Sequence, residues 1–397
     1  MSHSVLLVNS WRVIGAKGGT EKVFCDFANA LNDRGFSVTL LCCDSKIGKP
    51  GFKLKEGVRF VNVGRCLGIW EKLFNKLKTI SLCSLDRKRK RGLLKISALS
   101  RSYREVSWLF EESDVVISFQ PETTYILKEE LGVKVPIVSM FHHDPKFYFT
   151  DPLFYLYRDS LLQCKVLQVL RPEFVRELLD IGAERVVCIP NVCPRFEWQK
   201  DLSRKKIVFV GRVNLKQKRL DLLVRAFSRI KKDFPGWTVE IWGEEGLNSH
   251  DTKYIIDLIG RLNLTDCVFL KGVTDNVESV LRDSSIFAFP SAYEGFGLAL
   301  IEAMMVGIPA VGCVDCSAVN TLIQNGVNGI LTRPDPASFS VGLSDLMRDK
   351  EKRLEYGEQA RKTAQRFDPD AIWNTWENLL NDVLNEMKTL DDSEMEM

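Results

Sequence analysis

The sequence predicts an α/β protein made of two doubly wound domains with parallel sheets. The chain has 397 residues, more than one hydrophobic core usually supports, so two domains are expected. Short apolar runs alternate with amphipathic stretches of helix length, the pattern of parallel α/β sheets. An aperiodic, charged segment at residues 192–205 separates two such series and is predicted to be a linker. A cleft is expected between the carboxyl ends of the two sets of strands.

Residues 1–195 are predicted to form the first domain. Apolar side chains recur at helical spacing in Thr20–Arg34, which predicts an amphipathic helix. Strands are expected at Val5–Asn9, Val38–Cys42, Val58–Val63, Val115–Ser118, Ile137–Met140, Val166–Leu170 and Val186–Ile189.

Residues 206–368 are predicted to form the second domain, with a helix at Leu220–Lys232. Residues 369–390 form a predicted closing helix, because apolar side chains recur at helical spacing in Ala371–Met387. Strands of the second domain are expected at Ile207–Val210, Thr238–Trp242, Val268–Lys271, Ile286–Phe289 and Ala310–Gly312.

Composition argues against several classes of protein. The net charge of +3 is too small to indicate nucleic-acid binding. Eleven cysteines are scattered along the chain, and the Cys313/Cys316 pair lacks a second pair to complete a zinc site, so free thiols are expected. No apolar run is long enough to predict a membrane span, and the N-terminus lacks a signal-peptide pattern. We expect a cytoplasmic protein.

The most informative pattern lies in residues 285–307. An apolar run that stops at Pro290 predicts a strand, and Gly297 begins a predicted helix. Glu294 lies in the loop between them, and Glu302 lies in the helix. Two carboxylates around the junction of a strand, a loop and a helix suit a site that holds a sugar above a phosphate.

The start of the same predicted helix favours an anion. The first N–H groups of a helix have no partner within it, and the helix dipole is positive at that end. Here these donors belong to Phe296, Gly297 and Leu298. Their position predicts contacts with phosphate or sugar oxygens.

Positive side chains follow the first strand of the second domain. Arg212 lies at the carboxyl end of that strand, and Lys218 and Arg219 precede the next helix. A guanidinium can bind two phosphate oxygens at once, and an ammonium supplies a mobile point charge. Such a pair suits a departing nucleoside diphosphate.

Two features of the first domain fall at strand ends. Gly18 and Gly19 begin the first helix without the spacing of a nicotinamide site, and Glu21 either contributes to function or simply complements the helix dipole. His142 ends a strand, where a neutral imidazole could bind sugar hydroxyls or be bonded by backbone alone. The adjacent His143 lacks the further ligands that a metal would need.

The block around Glu294 and Glu302 resembles the E-x7-E signature of the retaining, family 4 glycosyltransferases of the GT-B fold. Further motifs match in the family's order, and the resemblance covers nearly the whole chain. They are the Gly18-Gly19-x-Glu21 loop, His142, the turn at Pro190-Asn191, and the Arg212 and Lys218 pair.

The resemblance implies a GT-B architecture of two Rossmann-like domains facing a cleft, with the closing helix crossing back to the first domain. It gives Arg212 and Lys218 the role of a diphosphate clamp. The spacing is one residue longer than in the commonest family form, so Lys216 or Arg219 is an alternative partner for Arg212.

Other roles also follow from the resemblance alone. Glu294 would bind the donor sugar, Glu302 the ribose, and His142 would lie beside the transferred sugar. The Gly18–Gly19 loop would contact donor and acceptor. Three residues fall in segments that resemble nucleotide-binding ones, namely Gly243, Gly272 and Val273.

No metal and no other cofactor are implied. Asp368 and Asp370 match the D-x-D metal clamp of a different glycosyltransferase fold, but they precede the closing helix, where capping is the better interpretation. The diphosphate charge would be neutralised by Arg, Lys and helix dipoles.

The implied function is transfer of a hexose or N-acetylhexosamine from a nucleotide-sugar to a glycan or lipid-linked acceptor, with retention of configuration. A UDP-sugar is the expected donor and GDP-mannose the alternative. Synthesis of surface polysaccharide or lipopolysaccharide is the expected setting. An epimerase of the same fold and a non-catalytic sugar-nucleotide-binding subunit are the rival interpretations.

Residues 65–104 are strongly basic and interspersed with apolar side chains. This composition is typical of a surface that binds an anionic membrane, here the inner face of the cell membrane. A solvated basic helix or loop explains it equally well. Nucleic acid is not an expected partner, because no aromatic stacking platform accompanies the charges.

Overall fold

The computed structural model describes residues 2–64, 86–244 and 249–395. Contacts divide the chain into two compact units. The first unit comprises Met1–Pro190 together with Ile372–Met397, and the second comprises Asn191–Ala371. The segment at residues 192–205 contains neither helix nor strand and belongs to the second unit, where the Cys193 N–H donates to the Phe367 carbonyl (2.9 Å).

The first unit contains a sheet of seven parallel strands in the order β3-β2-β1-β4-β5-β6-β7. The two strands at its centre, β1 and β4, are apolar and almost fully buried, as expected for a sheet covered on both faces. The strands are β1 (Ser4–Asn9), β2 (Ser37–Cys42), β3 (Val58–Asn62), β4 (Val115–Ser118), β5 (Ile137–Phe141), β6 (Val166–Val169) and β7 (Val186–Cys188).

Helices cover this sheet and bury one apolar face each. They are Gly19–Asp33, Arg87–Arg104, Trp108–Glu111, Pro121–Tyr125 with a π-helical continuation at Ile126–Glu130, Pro145–Phe149, Phe154–Leu162 and Glu173–Asp180.

The second unit contains a sheet of six parallel strands in the order β10-β9-β8-β11-β12-β13. Five of these strands lie where the sequence predicts them, and the sixth, β13, was not predicted. The strands are β8 (Lys206–Val210), β9 (Thr238–Trp242), β10 (Val268–Gly272), β11 (Ile286–Phe289), β12 (Ala310–Cys313) and β13 (Gly329–Thr332).

The helices of the second unit surround this sheet. They are Leu215–Lys218, Leu220–Ile230, Ser249–Arg261, Val277–Arg282, Leu298–Val306, Ser317–Leu322, Pro336–Arg348, Lys350–Ala364 and a 3₁₀ turn at Gln365–Phe367. The predicted pair of doubly wound parallel sheets is therefore confirmed.

The closing helix, Pro369–Met395, packs on the first unit as predicted. Trp373 and Trp376 contact the ring of Phe27, with centroids 5.3 and 4.6 Å away. Glu386 forms ion pairs with Lys165 (2.6 Å) and Arg185 (2.8 Å). Large buried aromatic surfaces, more than these exposed ion pairs, stabilise this contact.

The strand orders define one switch point in each sheet. Consecutive strands run outward in opposite directions from β1 and β4 in the first unit, and from β8 and β11 in the second. Loops that follow such a pair of strands diverge, so a crevice opens at their carboxyl ends, where open α/β sheets bind ligands. These two edges are the natural places to look for a site.

The basic region is only partly described, because residues 65–85 lie outside the described residues. Arg87–Arg104 is a helix whose N-cap, Asp86, accepts hydrogen bonds from the N–H groups of Lys88 and Arg89. Ile96, Leu99 and other buried side chains pack this helix into the hydrophobic core of the first unit. Among the helices of the described ranges, none is long and apolar enough to cross a membrane.

Candidate active site

A buried ion pair spans the switch point of the second unit. Lys218, beyond β8, places its Nζ 2.5 Å from Oε1 of Glu294, which follows β11. The two side chains are 11% and 9% exposed. Removing two charges from water costs free energy that their attraction barely repays, so such a pair is weak evidence for stability alone.

Backbone hydrogen bonds hold the two halves of this pair together. The short helix Leu215–Lys218 is capped by Asn214, whose Oδ1 accepts from the Gln217 N–H (2.8 Å). The Ala292 N–H in the loop after β11 donates to the Gln217 carbonyl (2.7 Å). These hydrogen bonds hold the loops that carry Lys218 and Glu294 against each other.

The other cations of this segment differ in their partners. Arg219 makes a bidentate ion pair with Asp315 (3.0 and 2.6 Å), and these hydrogen bonds raise the pKa of its guanidinium. Arg212 is exposed, and its side chain makes no hydrogen bond or ion pair within the described ranges. Lys216 is also exposed. Arg219, like Lys218, is thus paired with a carboxylate, and the choice of partner for Arg212 remains a prediction.

Glycines bring the strand ends of the second unit into backbone contact. A Cβ on Gly243, after β9, would lie 1.9 Å from the carbonyl oxygen of Gly211, after β8. The Gly243 N–H donates in turn to the Gly272 carbonyl (2.7 Å), and the adjacent Val273 is about half exposed. Gly243 thus has a packing role beside the nucleotide-binding role predicted for it.

The helix after Glu294 begins as the sequence suggests. Gly297 has φ +89°, a conformation that glycine adopts without strain, and it caps Leu298–Val306. The Leu300 and Ile301 N–H groups donate to the Gly297 carbonyl, so the preceding N–H groups lie outside the helical ladder.

Two side chains of this segment are buried. The ring of Phe296 packs edge-on against Phe367, with centroids 5.2 Å apart. Glu302, within the helix, is 6% exposed. The roles predicted for Glu294, Glu302 and the helix start remain predictions, but all three lie in the loop and helix that follow β11.

His142 follows β5 in the first unit, next to the switch point. Its ring stacks on Phe119, with centroids 4.8 Å apart. Burial, reinforced by the neighbouring His143, lowers the pKa of His142 to about 3, so the imidazole is neutral at physiological pH. Its Nε2 is buried and has no hydrogen-bond partner in the described part of the chain.

The loop at Gly18–Gly19 lies against the carboxylate of Glu21. A Cβ on Gly18 would lie 2.2 Å from Oε2 of Glu21. The Glu21 carboxylate therefore lies over the start of helix Gly19–Asp33, where it complements the dipole. A phosphate at this helix start would have to displace that carboxylate.

The D-x-D segment is engaged by an arginine. Arg195 forms ion pairs with Asp368 (2.9 Å) and Asp370 (2.7 Å). Asp368 also accepts a hydrogen bond from the Asp370 N–H (3.0 Å), as a residue capping a helix start does. This arrangement favours the capping interpretation.

Sequence patterns missed a buried polar network at the switch point of the first unit. Gln120, after β4, accepts from the Ser10 N–H (3.0 Å) and donates to Oδ1 of Asn9 (2.7 Å). The Ser10 hydroxyl bonds Tyr103 (2.8 Å) and Thr123 (2.6 Å). No periodicity signals such contacts, because the partners lie about a hundred residues apart.

Ser291 was also missed. It follows Pro290 at the end of β11, is fully buried, and its hydroxyl has no hydrogen-bond partner among the described residues. Buried polar groups are nearly always bonded, so this unpaired hydroxyl, three residues before Glu294, is a further candidate for contact with a ligand. A serine directly after a strand-ending proline was the available signal.

Comparisons with known proteins agree with this geometry. Residues 194–363 match the family model "Glycosyl transferases group 1". The predicted class is supported, because the chain matches a glycosyltransferase family over part of its length. More specifically, it contains a glycosyltransferase group 1 domain that spans nearly all of the second unit.

Relatives differ in how much of their length is matched. An "uncharacterized glycosyltransferase" of Haemophilus influenzae is 24% identical over 92% of this chain and 97% of its own. An exopolysaccharide phosphotransferase of Streptomyces coelicolor is 32% identical over 54% of this chain but only 22% of its own. An N-acetylgalactosaminyltransferase of Campylobacter jejuni that acts on a diphospho-undecaprenol-linked sugar is 34% identical over 42% of this chain and 44% of its own.

Solved structures match the whole fold. Sucrose-phosphate synthase from Thermosynechococcus elongatus superposes with a TM-score of 0.77 at 15% identity, covering 97% of this chain and 100% of its own. The Anabaena protein HepE, solved with UDP-glucose, gives 0.74 at 18% identity, covering 96% and 99%. At these identities the likeness shows the fold, which is GT-B.

Proposed function

We propose that this glycosyltransferase moves a hexose or N-acetylhexosamine from a UDP-sugar to a glycan or lipid-linked acceptor during synthesis of cell-surface polysaccharide. The observation that carries the proposal is the Lys218–Glu294 pair at the switch point, with Arg212 uncompensated nearby. UDP-glucose in HepE supports a uridine donor, and the lipid-linked substrate of the Campylobacter relative supports the acceptor class.

In the proposed reaction, the bond between the anomeric carbon and the diphosphate oxygen breaks while an acceptor hydroxyl bonds the same carbon. The electron pair leaves with the nucleoside diphosphate, and Arg212 and Lys218 stabilise its charge. The proton of the acceptor hydroxyl passes to the departing phosphate on the same face, so configuration is retained. No protein nucleophile is needed.

Carboxylates hold the hydroxyl groups of the donor in this scheme. Glu294 binds those of the sugar and Glu302 those of the ribose, while the donors at Phe296–Leu298 face the diphosphate. Gly243, Gly272 and Val273 border the nucleotide. His142, neutral in the folded protein, binds a sugar hydroxyl through its unpaired Nε2. No metal takes part, so EDTA should leave turnover unchanged.

Binding and turnover together test this proposal. UDP should raise the melting temperature more than GDP, ADP or CMP at equal concentration, because only ligands that bind the folded state stabilise it. Arg212→Ala should weaken UDP binding and abolish transfer. Arg333→Ala, which removes another exposed arginine of the second unit, should change neither. Unaltered UDP affinity in Arg212→Ala would refute the clamp.

Product analysis separates the rival functions. An epimerase would convert the sugar without releasing UDP, and a non-catalytic subunit would bind UDP without turnover. A transferase given a UDP-sugar alone should release UDP slowly by hydrolysis. Hydrolysis of the UDP-sugar no faster than without the protein would contradict the proposed activity.

The proposal includes a cytoplasmic location with peripheral contact to the anionic inner face of the cell membrane. Five consecutive basic residues, Arg87–Arg91, occupy the first turns of their helix, where the dipole disfavours positive charge. An anionic surface would compensate that cost by about 1 kcal/mol per residue. Binding to vesicles with phosphatidylglycerol but not to neutral vesicles, lost in Lys88→Glu/Arg89→Glu, is the expected result.

A further inference from the structure

The switch point of the first unit carries a group of aromatic rings. Trp11 follows β1, and its ring centroid lies 5.7 Å from that of His143, which follows β5. His143 lies 5.2 Å from the ring of Phe147 in the next helix. Three rings thus form a continuous row beside the carboxyl ends of neighbouring strands.

This row is accessible to a ligand. Phe147 is 56% exposed, and Trp11 and His143 are partly exposed. Single exposed aromatic side chains are common on protein surfaces, but three rings in contact form a larger patch of the kind that binds a ligand. The location at a switch point favours a small ligand, because this is where open α/β sheets bind them.

A carboxylate with its own supports borders the row. Oε1 of Glu122, after β4, accepts from Nε1 of Trp11 (3.3 Å) and from the ammonium of Lys95. Because two donors fix one oxygen, the orientation of the carboxylate is set, and its remaining lone pairs can accept from a hydroxyl.

Two buried polar side chains lie at the ends of the strands that lead to this row. Asn9, the last residue of β1, is fully buried, yet its Nδ2 has no hydrogen-bond partner among the described residues. Nε2 of His142 is likewise unpaired. Because Nε2 of His142 is assigned to the donor sugar, the Asn9 amide is the buried polar group that remains for a second polar ligand at this edge.

We propose that Trp11, His143, Phe147 and Glu122 form a subsite for a pyranose ring of the acceptor. A pyranose has an apolar face of C–H groups, which pack on aromatic faces, and a rim of hydroxyls that bond carboxylates and neutral nitrogen or amide groups. A free phosphate is disfavoured, because Glu122 would repel it and Lys95 is already paired. The subsite rests on the proposed function and narrows the class of acceptor to one that ends in a sugar.

Direct binding to simple glycosides tests the subsite. The probes are methyl β-D-glucopyranoside, methyl N-acetyl-β-D-glucosaminide and methyl β-D-galactopyranoside, with glycerol 3-phosphate for comparison. Saturation-transfer NMR on the full chain with UDP should detect contacts to at least one glycoside through its ring protons. Contacts to glycerol 3-phosphate alone would overturn the proposal.

Substitutions at exposed rings give a control for folding. Phe147→Ala should raise the dissociation constant for the bound glycoside by roughly 3- to 10-fold, the range expected for loss of one aromatic contact. Tyr155→Ala removes an aromatic side chain of similar exposure (63%) in the same unit and should leave the constant unchanged. Equal effects of the two substitutions, or none from Phe147→Ala, would also overturn it.

UDP affinity distinguishes failure of the subsite from failure of the proposed function. If the second unit binds UDP and hydrolyses a UDP-sugar while Phe147→Ala binds glycosides normally, only the subsite is wrong. If UDP does not bind, the proposed function is wrong. Glycoside binding then shows only that the aromatic row binds sugars.

Discussion

The two switch points share one topology and differ in chemistry. In the second unit, β8 and β11 lead to a buried ion pair, a bidentate arginine and a run of close backbone contacts through glycine. In the first unit, β1 and β4 lead to a buried amide pair and hydroxyls, bordered by the Glu122 carboxylate that pairs with Lys95. The imidazole that follows the adjacent β5 has a pKa lowered by burial. The crevice of the second unit therefore suits a charged diphosphate. The corresponding crevice of the first unit suits neutral, hydroxyl-rich groups.

The largest effect is expected where charge is buried. Lys218→Met leaves Glu294 without its partner, so we expect a loss of about 3–5 kcal/mol in the free energy of unfolding. Turnover should also fall by about 10²–10³, because one fixed charge no longer meets the leaving group. Denaturant unfolding and single-turnover kinetics measure the two effects.

Two further variants separate stability from chemistry. Lys218→Met combined with Glu294→Gln removes both charges and should recover most of the stability but none of the activity. Lys352→Met breaks the more exposed pair with Asp345 in the same unit and should cost under about 1 kcal/mol. Normal turnover in Lys218→Met would show that the charged pair at the second switch point does not act on the leaving group.

Backbone packing at the end of β8 gives the next largest effect. Gly243→Ala places a Cβ where the Gly211 carbonyl oxygen lies, so the two strand ends must separate. We expect a loss of about 3 kcal/mol in the free energy of unfolding, at the upper end of overpacking effects. UDP affinity should fall as well, since Arg212 follows Gly211 directly.

A second glycine of the same unit provides the control. Gly260 lies inside helix Ser249–Arg261, and a Cβ there would meet nothing within 4 Å. Gly260→Ala should therefore stabilise the protein by up to about 1 kcal/mol, because alanine has the higher helix propensity. A tolerated Gly243→Ala would show that the strand ends are not in rigid contact.

The sequence predicts most of this framework because its signals are local. Strands such as Val115–Ser118 and Ile286–Phe289 are apolar runs bounded by polar or proline residues, and they lie where predicted. β13 was not predicted, because Gly329–Thr332 is short and begins with glycine. The GT-B fold was predicted from a resemblance to a family, carried by motifs that lie in the family's order along the chain.

Side-chain partners were less predictable. The pairing of Lys218 with Glu294 joins residues 76 positions apart, and that of Ser10 with Tyr103 spans 93. Charge and spacing alone could not predict that Lys218 pairs with Glu294 while Arg219 pairs with Asp315. Such choices depend on which loops meet at a sheet edge.

The smallest effect concerns the neutral half of the comparison and depends on pH. Burial lowers the pKa of His142 to about 3, whereas an unfolded histidine titrates near 6.5. Between these values the unfolded chain binds a proton that the folded protein does not, so His142 costs stability as pH falls below about 6.5. The cost grows by about 1.4 kcal/mol per pH unit and reaches about 2 kcal/mol at pH 5.

A variant without this one imidazole isolates its contribution from the carboxylates that also titrate. His142→Gln removes the proton uptake of the unfolded chain, so its free energy of unfolding should fall less steeply than that of the parent protein between pH 7 and pH 5. His250→Gln, an exposed position in the second unit, is the matched control. Parallel pH profiles for the parent and His142→Gln would mean that the imidazole is charged in the fold. The first switch point would then carry a cation, and its contrast with the second would disappear.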